Sequence, residues 1–186
     1  MKLYIKNMVC NRCITAVERV FKDLNLEINT VSLGEVETAE DLNSTELRKL
    51  DESLRESGFE ILEDYAQQLI EKVKNEIILL VDGLDIPEDF ILSKWISEKL
   101  NRDYSAVSKL FSQNENVTLE QYFILQKIEK VKELLLYDEF SLTEISGKLG
   151  YKSVQHLSSQ FKNVTGFTPS GFKKLKVKNR IPLDEI

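Results

Sequence analysis

Apolar positions in the first third of the chain switch between two periods. Leu3 and Ile5 alternate with polar neighbours through Met1 to Met8, a two-residue period that predicts a strand with one buried face. Ile14, Val17, Val20, Phe21 and Leu24 then recur at helical spacing. Leu26, Ile28 and Leu33 lie in a second extended stretch that breaks at Gly34, Val36 marks a short third, and Phe59 to Leu62 form a last one. Before that last strand, Leu47, Leu50 and Leu54 keep helical spacing behind Asn43 and Glu46, a capping pair. The order is βαββαβ within residues 1–64. Two helices laid on one face of an antiparallel sheet bury that face compactly, which predicts a ferredoxin-like domain.

A longer helix, about Tyr65 to Val81, is broken by Asp82-Gly83, and Pro87 suits the first turn of the helix after it. From there every apolar period is helical. The expected fold class is therefore α+β: a ferredoxin-like domain at 1–64, a linker helix at 65–83 and an all-α domain at 84–178. On the linker helix Ile70, Val73, Ile77 and Leu80 fall at i, i+3, i+7 and i+10. That stripe is either a two-heptad homodimer seam or a face packed within the chain.

The second half nearly repeats itself at an offset of 49 to 50 residues. Ile96-Ser97-Glu98-Lys99-Leu100 returns as Ile145-Ser146-Gly147-Lys148-Leu149, while Phe111, Thr118 and Tyr122 return as Phe161, Thr168 and Phe172. One extra residue in the second copy's turn accounts for the change of offset. Each copy reads as a short helix, a tight turn and a second helix, so the all-α domain is expected to hold two helix-turn-helix units. Ser97 and Ser146 are small where two helices must cross, Gly150 permits the backbone of a turn, and Ser153 can cap the helix after it. A helix from Thr118, in a capping pair with Gln121, to Leu136 joins the copies through an apolar face of Ile124, Ile128, Val131 and Leu135.

In the second helix of the first copy Val107, Leu110 and Phe111 face inward, leaving Ser105, Ser108, Lys109 and Ser112 outward. In the second copy Val154, Leu157 and Phe161 face inward, and Lys152, Ser153, Gln155, His156, Ser159 and Gln160 outward. Hydroxyls, amides and cations with no acid among them suit a helix placed between base edges. Gln155 matches an adenine edge and Lys109 a guanine or a phosphate.

Composition narrows the setting. The 186 residues are 42% apolar, enough for packed cores and incompatible with disorder throughout. The longest apolar run, Ile77 to Val81, is far short of the roughly 20 residues that span a bilayer. Lys2 and Lys6 have no apolar signal region behind them, so secretion is not expected either. The net charge of −6 is unevenly spread. Residues 1–82 carry ten basic against seventeen acidic residues, whereas Ser141 to Arg180 carry eight basic residues and one acid, Glu144. Screening limits each charge to about 10 Å, so the local basic field can attract phosphates whatever the total.

The run Lys127-Ile128-Glu129-Lys130-Val131-Lys132-Glu133-Leu134-Leu135 is followed by Leu142-Thr143-Glu144-Ile145, Leu149-Gly150-Tyr151, Phe161-Lys162 and Thr165-Gly166-Phe167-Thr168-Pro169. On these residues, positions 88–175 resemble the DNA-binding domain of the AraC/XylS family of bacterial transcription regulators. The resemblance implies one chain engaging two successive major-groove segments of double-stranded DNA, often bending it, and acting through RNA polymerase. Leu157 and Ser159 depart from the Phe and Arg common in that family.

The two cysteines stand together in Met8-Val9-Cys10-Asn11-Arg12-Cys13, between the first strand and the first helix. Spacing by two residues at a helix start brings both sulfurs to one side of a loop, and the helix dipole with Arg12 favours thiolate. Thiolates select Cu(I), Zn(II) or another thiophilic ion, although two ligands are half the set of a structural zinc site. With the βαββαβ order and Gly58-Phe59 before the last strand, residues 1–64 resemble heavy-metal-associated domains. That resemblance makes Cys10 and Cys13 the metal ligands and leaves Met8 packed under the loop; Asn7 stands where a glycine is common. A thiol redox switch and a silent retained fold remain open.

The sole histidine, His156, lies on a proposed reading helix, and no glycine-rich phosphate loop occurs. No enzyme is expected, and no cofactor is required. The chain reads as a cytoplasmic transcription regulator modulated by a thiophilic metal. The alternative is a metallochaperone or metal-buffering protein whose helical half is a docking platform.

Overall fold

The computed structural model describes residues 1–175 and 180–186, so the domain end expected at 178 lies outside the described residues. The chain divides into two compact units, Met1–Asn75 and Glu76–Ile186.

In the first unit β1 (Lys2–Lys6), α1 (Asn11–Asp23), β2 (Ile28–Ser32), β3 (Glu35–Thr38), α2 (Ser44–Glu56) and β4 (Glu60–Ile61) follow in that order, and α3 (Tyr65–Asp82) leaves the unit. The strands form one antiparallel sheet in the order β2-β3-β1-β4. The two-residue period of β1 does what it predicts: Leu3 and Ile5 are buried while Lys2 and Lys6 are exposed. Leu3 stands opposite Val36, and Ile5 opposite Ile61. Val17 and Phe21 from α1 and Leu50 and Leu54 from α2 close the core with Met8 and Phe59. Asn43 starts α2 by accepting from the Thr45 and Glu46 N–H groups, and Glu46 Oε2 accepts from the Asn43 N–H at 2.9 Å. Both halves of that capping box are present.

The second unit is helical: α4 (Leu92–Leu100), α5 (Tyr104–Asn114), α6 (Leu119–Tyr137), α7 (Leu142–Lys148), α8 (Val154–Thr165), α9 (Pro169–Lys173) and a short 3-10 turn at Leu183–Glu185. Pro87 does not open a helix as its position suggested. Buried Ile86 instead makes a parallel bridge with Leu149, its N–H donating to the Lys148 carbonyl at 3.0 Å, and helix resumes only at Leu92. Ile70, Val73 and Ile77 on α3 are buried, so that stripe is taken up within the chain.

The internal repeat persists in three dimensions. Asp103 and Ser153 cap α5 and α8, and Thr118 and Thr168 cap α6 and α9, each through its side-chain oxygen. Phe111 meets Tyr122 at 5.5 Å between ring centroids, and Phe161 meets Phe172 at 5.6 Å. Each repeat thus fastens its second helix to the following one with an aromatic pair, a geometry that stabilises beyond simple burial. Helix α6 packs on α5, α7, α8 and α9.

The two turns solve one problem differently. Asn101 ends α4 in the left-handed region at φ 50°, while Gly150 follows α7 at φ 65°. At Gly150 a Cβ would stand 2.7 Å from the Pro87 carbonyl oxygen and 2.8 Å from Ile86 Cγ2. Strain and overlap act together there, so Gly150→Ala is expected to lower stability by about 2–4 kcal/mol in urea denaturation. A change under about 0.5 kcal/mol would contradict that packing.

Candidate nucleic-acid interface

The second helix of each repeat turns its apolar side to the core and leaves a polar side in solvent. On α5, Val107 and Phe111 are buried and Leu110 is half-buried; on α8, Leu157 and Phe161 are buried and Val154 is half-buried. Ser105, Lys109 and Ser112 on α5 are exposed, as are Lys152, Ser153, Gln155, His156 and Ser159 at α8. Ser108 and Gln160 are half-buried. Several of these groups already have partners. Ser105 Oγ donates to Asp103, Ser153 Oγ accepts from the His156 N–H at 3.1 Å, and Gln160 Oε1 accepts from the Tyr151 hydroxyl at 2.7 Å. The groups with the freest reach are Lys109 and Ser112 on one helix and Lys152, Gln155, His156 and Ser159 on the other.

Residues 96–175 match a family model described as a helix-turn-helix domain. Over 79 residues the chain is 32% identical to the Msm operon regulatory protein of Streptococcus mutans, a span of 42% of this chain and 28% of that protein. Over 78 residues it is 31% identical to the Xylose operon regulatory protein of Haemophilus influenzae, 42% of this chain and 20% of that one. The chain therefore spans less than a third of the length of either relative. Its fold is similar to the C-terminal domain of AraT, a response regulator from Geobacillus stearothermophilus, with a TM-score of 0.50 at 22% identity, covering 61% of this chain and 87% of that one. Residues 96–175 are a helix-turn-helix domain.

Within this helix-turn-helix domain the structure adds residues that spacing alone did not single out. The offset of 50 that relates the two caps also relates Arg102 to Lys152, each exposed and directly before the capping residue. The same offset relates Ser112 to Lys162, exposed near the end of α8. The repeat register was the signal for both. The acid-free reading face holds for the named residues only. Asp103 caps α5, and Glu120 accepts from the Tyr104 hydroxyl at the same helix, which keeps the Glu120 carboxyl below its usual range and pushes Tyr104 up through burial and that bond. Helices α5 and α8 are alike inside and electrostatically different outside.

Behind α8 lies a buried cation. Lys127 on α6 is 7% exposed, with Nζ 3.7 Å from the Tyr151 ring centroid and 5.3 Å from that of Phe123. Burial pushes Lys127 down to about 8. The two ring faces return part of that cost.

In the first unit Cys10 sits at the N-cap of α1 and Cys13 in its first turn, with their sulfurs 3.5 Å apart. An ion with bonds of about 2.3 Å can bridge that gap only at a bent angle. The donor set therefore fits a thiophilic ion whose remaining ligands come from elsewhere; among the described residues no three His, Cys, Asp or Glu side chains form a metal-holding group. The expectation that both thiols favour thiolate fails at Cys13, where burial pushes the thiol up against a lowering hydrogen bond at the loop. Met8 is fully buried beneath this loop. Asn7, at φ 69°, adopts the left-handed conformation a glycine would find easier; its N–H donates to Glu71 Oε1 on α3 at 2.8 Å and its Nδ2 to the Gly58 carbonyl at 3.0 Å. Among the described residues no helix is long and apolar enough to cross a membrane.

The Lys127 shift predicts a pH effect with a definite sign. Unfolded, the ammonium titrates near 10.5; folded, near 8, so between those values the unfolded chain binds more protons and stability rises with pH. The raised Tyr151 hydroxyl opposes this above about pH 10. The urea midpoint of the wild type should climb relative to Lys127→Met between about pH 8 and 10, and a constant difference across that window would contradict the burial argument.

Proposed function

We propose that this protein is a cytoplasmic transcription regulator that engages two successive major-groove segments of double-stranded DNA through α5 and α8, and acts on transcription through RNA polymerase. The observation that carries this reading is the duplicated unit itself: two capped helices, each fastened by an aromatic pair, each presenting a polar face. Relatives named as operon regulatory proteins over the same residues support it. Base contacts fall to Lys109 and Ser112 on one helix and to Gln155, His156, Ser159 and the amide of Gln160 on the other. Arg102, Lys152 and Lys162 hold phosphates, a division that follows from their positions at helix ends. A docking platform in a metal-buffering protein is not favoured, because nothing in such a role calls for a capped polar helix in each of two repeats.

The first unit is proposed to be a ferredoxin-like domain of the heavy-metal-associated kind. Its element order, the β2-β3-β1-β4 sheet, buried Met8 and the paired cysteines support this. Cys10 and Cys13 hold the thiophilic ion, Cu(I) or Zn(II), which supplies a cross-link between the loop and the start of α1. Asn7 ties the base of that loop to Glu71, giving the loop a mechanical connection to α3. Metal binding changes DNA affinity only as far as it favours one conformation over another.

Selection from a random DNA pool at near-physiological salt, with reduced metal-free protein and with Cu(I)-loaded protein in parallel, tests both halves. An enriched sequence in both arms is expected, with an affinity difference between them that disappears in the Cys10→Ser, Cys13→Ser double variant. No enrichment in either arm contradicts the DNA reading; enrichment without a difference contradicts the metal reading. Lys109→Ala is expected to weaken binding and, where the contact is to a phosphate, to flatten the salt dependence by about one ion. An unchanged affinity would remove Lys109 from the interface.

A further inference from the structure

Tyr151 is buried in the turn before α8, yet it touches the reading face twice. Its hydroxyl donates to Gln160 Oε1 at 2.7 Å, and its ring meets the His156 ring edge-on, 5.3 Å between centroids at 83°. From the other side of the domain core, Lys127 on α6 places its ammonium over the same ring at 3.7 Å. Among the described residues Lys127 makes no ion pair, so the aromatic faces are the polar environment it has there. A buried cation without a carboxylate is costly, and replacing it with an apolar side chain would ordinarily stabilise a core. The arrangement makes sense if the position of the ring matters.

We propose that Tyr151 is a positioning residue that sets the base preference of the second reading helix, with Lys127 as its clamp. The hydroxyl holds Gln160 Oε1 on the side of the turn, so this amide presents its NH2 donors outward and suits an acceptor on a purine edge, N7 or guanine O6. Freed of that bond, Gln160 can offer both acceptor and donor, the pair that adenine takes. The ring meanwhile limits the angles open to His156. The proposal rests on the DNA-reading function, and its test separates the two.

The experiment uses the full chain. Base-by-base preference is measured by competition on the selected DNA site for the wild type, Tyr151→Phe, Lys127→Met and Gln160→Leu, together with the salt dependence and the thermal midpoint of each. Tyr151→Phe keeps ring, volume and lysine contact and removes only the hydroxyl. It is expected to lose about fivefold of discrimination at one or two base pairs, to gain tolerance for adenine there, and to keep the wild-type salt dependence. Gln160→Leu should abolish preference at the same base pairs, and Lys127→Met should relax that of the pair contacted by His156. A purely structural tyrosine would give a uniform loss at every base pair or a lower thermal midpoint with preference unchanged, and either result overturns the proposal. If Tyr151→Phe matches the wild type throughout, the proposal fails while the DNA reading stands. If the wild type selects no DNA, the DNA reading fails and this inference with it.

Discussion

Helix α6 has to be the floor of two helix-turn-helix units at once, and burial on nearly every side is the consequence. Its apolar residues Leu119, Ile128, Val131, Leu134 and Leu135 are buried, but so are Gln126, Lys127, Glu129 and Lys132. Each polar group needs a partner in that setting, since an unpaired buried charge is far more damaging than a buried methyl group is helpful. Gln126 donates to the Tyr122 hydroxyl at 2.9 Å, Lys132 pairs with Glu129, and Lys130 reaches both Asp82 and Glu133. Glu129 also accepts from the Ile181 N–H at 3.2 Å, and Arg180 pairs with Glu133 at 3.1 Å, so residues from the end of the chain return to the same helix. One aromatic pair fastens α5 to this floor, and the other fastens α8 to α9, which itself packs on α6.

What the repeat keeps and what it changes divide along the surface. Inside, the buried apolar residues and the aromatic pair recur and each cap keeps its position, because each copy must solve the same packing problem. Outside, α5 carries Asp103 and the Tyr104–Glu120 pair at one end, whereas α8 carries Lys152, Gln155, His156 and Lys162 without an acid. Carboxylates near phosphates are repulsive, and amides and cations are attractive. Two units with one interior and two exteriors are suited to an asymmetric site, in which the halves differ in sequence and in their share of the affinity.

Much of this was legible in the sequence wherever a single local rule decides the outcome. Alternation placed β1, helical spacing placed α1 and α2, and the Asn43 and Glu46 pair marked the start of α2 within a residue. The repeat register located both turns and the second helix of each repeat. What escaped depends on partners distant in sequence. Pro87 looked like a helix start because its own conformation permits one, but Ile86 is claimed by Leu149, more than sixty positions away. The Lys127 and Tyr151 contact joins positions that no periodicity connects, and lysine in a helix reads as a solvated residue until the ring above it is seen. Cys13 shows the same limit: its place at a helix start argued for thiolate, whereas burial, which spacing does not report, pushes it the other way.

In the proposed function α5 and α8 lie on DNA together, held at a fixed separation by one helix of 19 residues, about 28 Å at 1.5 Å per residue. Hydroxyl-radical footprinting of the full chain on its selected site measures this directly. Two protected segments are expected on one face of the duplex, centred about one helical turn apart, with substitutions in α5 erasing one and substitutions in α8 the other. A single protected segment, or two that respond alike to either set of substitutions, would contradict it.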